Sequence, residues 1–383
     1  IFRALGSSMK RNRGSKESVQ IAKKGATVRK RAIKPGHCLV VVFDKGAKAQ
    51  IRRGKYVKRV DDTDWHFDKV RRNKKIQKVL RMRKEGAGTN IPMQLVTSTG
   101  AALSNISSVY HRTIIEVLEA PKKFTFRKLD WKWQDFYDIT KGDSKKIIML
   151  MDFNALELRS IIPGLRNDVG VFKESVDQLL ASRKNDVVAI NTHPGHHAGP
   201  KKATNYCAIN NAIVVVKWLK KRRPQFKVGI IDIDIHPGDG TYAFVKQNQS
   251  LVDAYVSIHC KKKFWKSLMN CDLGKHGIAL KKDSDGKVAP ERFHDSLEKV
   301  LKKWDTVKLD VIVVSLGFDT LKCDPLAGSS LGFQLLPHHF EEVGKTFSKR
   351  PEQIFFIQEG GYDVNETANA FNYLIKGFRM GRK

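Results

Sequence analysis

The chain has 383 residues, 41% of them hydrophobic, and a formal net charge of +32 at pH 7. That length and apolar content suit a single large α/β unit with a sizeable core. No apolar run is long enough to span a bilayer and no N-terminal signal pattern is present. The five cysteines lack C-x-x-C spacing, which excludes a disulfide framework and points to a reducing compartment. The charge is uneven: 27 Lys/Arg face 7 acids in residues 1–90. Such an excess favours nucleic acid or another polyanion as partner, although a solvated basic surface accounts for it equally well. VRKRAIK (28–34) reads as a nuclear address, so a nuclear or nucleocytoplasmic location is expected.

Residues 1–34 are polar, basic and aperiodic, and are read as an extension before a domain spanning 35–383. HCLVVVFD (37–44) is the first strand-like run. Residues 62–86 have helix-forming composition ending at Gly86, and SSVYHRTIIEVLEAP suits a helix stopped by Pro121. VGVFKESVDQLLASRKN reads as a helix, DVVAINT (186–192) as a strand, and NNAIVVVKWLKKRRP as a helix. Then come the strands KVGIIDIDI and AYVSIH (254–259), a helix near 290–304, the strand DVIVVSLG (310–317), a helix near 337–349 and the strand QIFFIQEGG (353–361). Short β-rich runs alternating with helices predict a mostly parallel central sheet flanked by helices, whose sites form at the carboxyl ends of the strands.

Chemistry-bearing residues gather at those ends: HPGHHAG, HPGDGT, GFDTLKCDPLAG and EGGYD. In IIDIDIHPGDGT, Asp232, Asp234 and His236 alternate, which places two carboxylates and an imidazole on one face of a strand. Buried carboxylates are costly unless paired or bound to metal. Asp234, His236 and Asp319 together suit a catalytic zinc, with three protein ligands and an open position. Taken singly, an Asp-x-Asp at a strand end reads as a turn residue and Gly-Gly-Tyr as a packing turn; it is their joint occurrence that indicates a site.

HPGHHAG (193–199), DIDIHPGDGT (232–241), SLGFDT (315–320), DPLAG (324–328) and QEGGYD (358–363) occur in one order that resembles the zinc-dependent histone deacetylases and the related acetylpolyamine amidohydrolases. GFDT and EGGY look like the class II branch, and residues 186–365 carry most of the likeness. The resemblance implies an arginase/deacetylase-like fold, with Asp234, His236 and Asp319 holding Zn²⁺. It makes His197 the general base, His196 an electrostatic partner, Asp239 and Asp232 their orienting carboxylates, and Tyr362 the donor to the oxyanion. It implies K⁺ bound through Asp232, Asp234, His236, Ser257 and Ile258. It also implies a substrate tunnel touched by Asp152, Tyr206 and either Phe264 or Trp265, with Arg72 the basic residue beneath it.

The chain departs from that pattern in places. Pro237 follows the ligand histidine, Thr192-His193 replaces an Arg-Pro, Asn205 replaces a glycine, and residues 260–272 lack the expected glycines. The resemblance implies hydrolysis of acetyl-lysine amides in proteins, histone tails and chromatin included, and sensitivity to hydroxamates. The alternatives are an acetylpolyamine or other small-amide hydrolase, and a catalytically weak basic nucleic-acid-binding module. A two-manganese ureohydrolase would need further metal-binding motifs, which the sequence lacks.

Overall fold

The computed structural model describes residues 37–44, 71–80, 92–106, 149–150, 155–200, 202–203, 206–260, 273–325, 327 and 331–382. Within it, Gly36–Lys383 form one compact unit. The helix expected at 107–121, and Asp152, Asn205, Phe264 and Trp265, lie outside the described residues.

The strands are β1 (Cys38–Asp44), β2 (Met93–Ser98), β3 (Met149–Leu150), β4 (Asn185–Ile190), β5 (Lys202–Ala203), β6 (Val228–Asp232), β7 (Ala254–Cys260), β8 (Gly277–Leu280), β9 (Val311–Leu316) and β10 (Gln353–Gln358). Eight of them form one sheet in the order β2-β1-β4-β10-β9-β6-β7-β8, and every pairing is parallel. The last strand in sequence thus lies in the middle of the sheet. The helices are α1 (71–80), α2 (Ala155–Ala181), α3 (Asn211–Arg222), α4 (Asp239–Gln247), α5 (Pro290–Trp304), α6 (His339–Ser348) and α7 (Val364–Gly381).

Alternation along the strands builds two cores, one on each face. Val40, Val42, Val187, Ala189, Ile230, Val313 and Phe355 pack with α2 and α3. Leu39, Val41, Val188, Ile231, Ile312, Val314 and Phe356 pack with α5, α6 and α7. This is why the central strands read as continuous apolar runs. α5 shows the helical counterpart: Phe293, Leu297, Val300, Leu301 and Trp304 are buried on one stripe while its lysines face water.

Three differences from the sequence reading bear on the site. First, β6 stops at Asp232, so Asp234 and His236 stand beyond the strand, not within it. The side chains themselves end the ladder: Asp232 Oδ1 accepts the N–H of Asp234, Asp234 Oδ1 that of His236, and Asp319 Oδ1 that of Ile235, at 3.1, 2.9 and 3.1 Å. Second, α2 begins at Ala155 and runs through Pro163-Gly164, well before the expected start. Third, β2, β8, α4 and α7 were not expected from the sequence; α7 follows at once from its cap, since Asp363 accepts the N–H groups of Asn365 and Glu366.

Candidate active site

The carboxyl ends of β4, β6, β9 and β10 are neighbours or near neighbours in the sheet. The loops leaving them carry His196 and His197, Asp234 and His236, Asp319, and Tyr362 respectively. His236 Nδ1 lies 3.0 Å from Asp234 Oδ1 and 3.0 Å from Asp319 Oδ2. One ligand atom from each of these residues falls within 4.8 Å of the other two, and no other such group occurs among the described residues. Two carboxylates and one imidazole, two of them wholly buried, fit a divalent cation in donor type and in charge. Burial alone would depress His236, but hydrogen bonds to Asp234 and Asp319 reverse this and push it up to about 10. Burial and Asp234 drive Asp319 well above the usual carboxylate range. The pair therefore calls for positive charge.

Beside this cluster stand two His–Asp pairs. His196 Nδ1 lies 3.0 Å from Asp232 Oδ2, and His197 Nδ1 lies 2.5 Å from Asp239 Oδ1. The two rings are 4.0 Å apart, and the His197 ring is 5.9 Å from that of His236. Burial lowers the pKa of His197, with His196 adding to it and Asp239 opposing. A neutral imidazole able to take a proton is the result. Burial and the Asp234 charge hold Asp232 well above the usual carboxylate range. Asp232 pairs in register with Ser257 on β7. The Ser257 hydroxyl contacts the Gly238 N–H and the His259 ring at 3.2 Å each.

Tyr362 is fixed through its backbone. Its N–H donates to Asp324 Oδ2 at 2.7 Å, and the Asp363 cap starts α7 directly after it. Burial, then Asp319 and Asp234, raise its pKa well above 10, so the phenol keeps its proton and stays a donor. The glycines before it have separate roles. A Cβ on Gly360 would lie 2.4 Å from Asp319 Oδ2 and 2.6 Å from Asp234 Oδ2, and Gly361 has φ +117°.

Arg72 is buried behind this wall and donates to the Gly361 carbonyl at 2.7 Å. Gln358, with its amide oxygen turned toward Arg72, accepts from Nε at 2.8 Å and from Nη2 at 3.1 Å. Burial lowers Arg72 to about 10, so it stays cationic at neutral pH beneath the site. Tyr206 is 38% exposed, with φ 64°. A left-handed backbone at a bulky residue marks strain of the sort found where a side chain meets ligand, and the exposure excludes a buried core role.

The sequence reading missed three positioning carboxylates. Glu359 is wholly buried and accepts the N–H groups of Gly195 at 2.6 Å and His196 at 3.2 Å, plus the Ser315 hydroxyl at 3.1 Å. Burial pushes it up to about 7. Asp324 accepts from Ala327 as well as Tyr362. Asp168 on α2 accepts the N–H groups of Thr192 at 2.7 Å and His193 at 3.0 Å, and lies 2.6 Å from His193 Nδ1. The Thr192-His193 departure is thus accommodated by a buried His–Asp pair that anchors the start of the HPGHH loop.

At the carboxyl ends of a parallel α/β sheet, the site thus sets a metal-competent cluster beside paired imidazoles. A family profile, the histone deacetylase domain, matches residues 66–378, and the chain belongs to that family. It is 31% identical over 215 residues to an uncharacterized protein of Synechocystis, covering 54% of this chain and 66% of that one. It is 25% identical over 232 residues to histone deacetylase 6 of Caenorhabditis elegans, covering 57% of this chain and 24% of that one. It is 28% identical over 206 residues to acetylpolyamine amidohydrolase 2 of Pseudomonas aeruginosa, covering 52% of this chain and 58% of that one. The matched part is therefore less than two thirds of each relative's length. Among solved structures, the HDA15 HD domain superposes with TM-score 0.64 at 17% identity, covering 90% of each chain. An acetylpolyamine aminohydrolase from Burkholderia pseudomallei gives TM-score 0.61 at 16% identity, covering 90% of this chain and 100% of that one. Both likenesses concern the fold.

Proposed function

We propose that the chain is a zinc-dependent deacetylase that hydrolyses the acetyl amide of N-ε-acetyl-lysine in proteins, histone tails among them, in the nucleus or nucleocytoplasm. The observation that carries this reading is His236 held 3.0 Å from both Asp234 and Asp319, with the His197–Asp239 pair one ring away. Zn²⁺ held by Asp234, His236 and Asp319 would supply Lewis acidity to the acetyl carbonyl and acidify the attacking water. K⁺ through Asp232, Asp234, His236, Ser257 and Ile258 belongs to the same reading, as a further counter-charge to Asp232.

The side chains then divide the work. His197 takes a proton from the attacking water as its oxygen bonds to the acetyl carbon. Asp239 holds the ring and stabilises the imidazolium that forms. His196, oriented by Asp232, donates a hydrogen bond to the same water. Tyr362 donates to the carbonyl oxygen, most strongly once it becomes an oxyanion. When the C–N bond breaks, His197 returns the proton to the departing amine, giving acetate and free lysine.

A second reading, hydrolysis of acetylpolyamines, is favoured by the likeness to the Pseudomonas amidohydrolase. Measuring kcat/KM on acetyl-lysine peptides and on acetylspermidine, with and without a chelator, tests both. The protein reading expects the peptide to be preferred and activity to vanish on chelation. A large preference for acetylspermidine would replace it, and full activity without metal would end both.

A further inference from the structure

The opposite edge of the sheet carries a second feature, unrelated to the hydrolytic pocket. Lys184 precedes β4, Lys349 precedes β10, Lys308 precedes β9 and Lys227 precedes β6. Those four strands are consecutive neighbours in the sheet. Neighbouring strands lie about 4.8 Å apart, so the four strand starts span about 15 Å; Lys184 and Lys227 adjoin their strands, Lys308 stands three residues before β9 and Lys349 four before β10. Hydrogen bonds stitch the row together: Asp310 N donates to Lys227 O at 2.8 Å, Gln353 N to Asp310 O at 3.1 Å, and Gln353 Nε2 to Asn185 O at 2.7 Å.

All four lysines are exposed, and among the described residues none has an ion-pair partner. The carboxylates near them are already matched. Asp310 pairs with Arg183 at 3.1 Å, Asp305 and Glu352 with Arg350 at 2.5 and 2.8 Å, Asp253 with Lys220 at 2.9 Å, Asp177 with Arg222, and Asp186 with Arg382 at 2.7 Å. The basic last turns of α3 and α5 are set aside, because cations there offset the helix dipole. Lys184, Lys227 and Lys308 stand beyond any helix, and Lys349 caps α6.

We propose that this edge is a nucleic-acid backbone site, separated from the catalytic pocket by the length of the sheet, about 20 Å. Exposed lysines without ion-pair partners, gathered about the starts of four adjacent strands, match a chain of phosphates, which present a charge every ~3.4 Å along one strand. A bilayer fits less well: the large apolar side chains exposed among the described residues are Tyr206, Leu336 and Met380, and of these Met380 alone lies toward this edge.

The test uses the full chain and a fluorescein-labelled 20-base-pair duplex, with binding followed by anisotropy from low to high NaCl. The edge variant combines Lys184→Gln, Lys227→Gln, Lys349→Gln and Lys308→Asn, the last because φ at Lys308 is 52° and Asn tolerates that backbone. A control variant combines Lys281→Gln, Lys282→Gln and Lys322→Gln at the catalytic end. The edge variant is expected to lower the slope of log K against log salt by about 3 to 4. It is also expected to bind at least about a hundredfold more weakly at 0.1 M salt. Its melting temperature and its turnover of a small acetyl-lysine reporter should equal those of the unaltered chain. An unchanged slope, an equal loss in the control variant, or binding to phosphatidylserine vesicles but not to the duplex would overturn the assignment. None of these outcomes depends on whether the hydrolytic reading holds.

Discussion

Glu359 Oε2 accepts the N–H of Gly195 at 2.6 Å, joining the end of β10 to the loop that carries both site histidines. The two residues are 164 positions apart, so this bond sets where His196 and His197 stand relative to Asp234, His236 and Asp319. Glu359→Ala would leave two amides and the Ser315 hydroxyl without their acceptor, at a cost of about 2–3 kcal/mol. Thermal melting should register that loss. Turnover should fall by at least about tenfold, because sub-ångström misplacement of a base is costly. Unaltered turnover in Glu359→Ala would show that the loop is held by other contacts.

On the proposed mechanism His197→Ala removes the general base and Tyr362→Phe the oxyanion donor, so each is expected to lower kcat by about 10²-fold or more. Circular dichroism should show both variants folded. Tyr362→Phe leaves its anchoring bond intact, because that bond runs from the backbone N–H to Asp324. A kcat within a factor of two in either variant would contradict the assigned roles.

Asp319→Asn removes one charge from the cluster while preserving shape. Zinc content by elemental analysis should drop, and zinc added back after chelation should restore activity to the unaltered chain far better than to the variant. A strongly chelating hydroxamate should inhibit the unaltered chain. Equal zinc content in both proteins would argue that Asp319 is not a ligand.

Asp168→Ala tests the substitute anchor of the HPGHH loop. Its carboxylate receives three donors from Thr192 and His193. Removing a buried, charge-assisted acceptor of this sort should cost about 3 kcal/mol. Urea unfolding would report it as a shifted midpoint with an unchanged slope.

His294, on α5, has both ring nitrogens shielded from solvent and without a hydrogen-bond partner. Burial lowers its pKa below 6.5, against the raising influence of Glu342, Glu291, Glu298 and Asp295. The unfolded chain therefore binds the proton more readily than the folded one. This contribution to stability is complete above pH 6.5 and declines as pH falls toward the folded pKa. His294→Leu should flatten the acid side of a melting-temperature profile below pH 6.5. A profile parallel to that of the unaltered chain would assign the acid loss to other groups.

The central strands were legible because they are buried on both faces and read as apolar runs; α5 was legible from its Pro290 start and its apolar stripe. The site histidines and aspartates were legible because charged residues interrupt those runs at strand ends. Glu359, Asp324 and Asp168 were not: each accepts backbone N–H groups supplied by distant segments, and no local pattern encodes such a partner. Asp168 stands one residue before the helix expected from VGVFKESVDQLLASRKN, in a helix that begins at Ala155 and passes through Pro163-Gly164. The Asp232–His236 alternation was seen, but assigning all of it to the strand overlooked that short carboxylates compete for backbone donors. β8, four residues long, leaves too little periodicity to detect.

The position of β10 has a consequence for biosynthesis. Strands β2, β1 and β4 lie on one side of it, and β9, β6, β7 and β8 on the other. A chain emerging from the ribosome holds two partial sheets, with the paired imidazoles on one and the carboxylate-bearing loops on the other. Only a segment made after both partial sheets wedges between them, so the site proposed above can assemble only once β10 has been translated, and a nascent fragment ending before β10 would lack it.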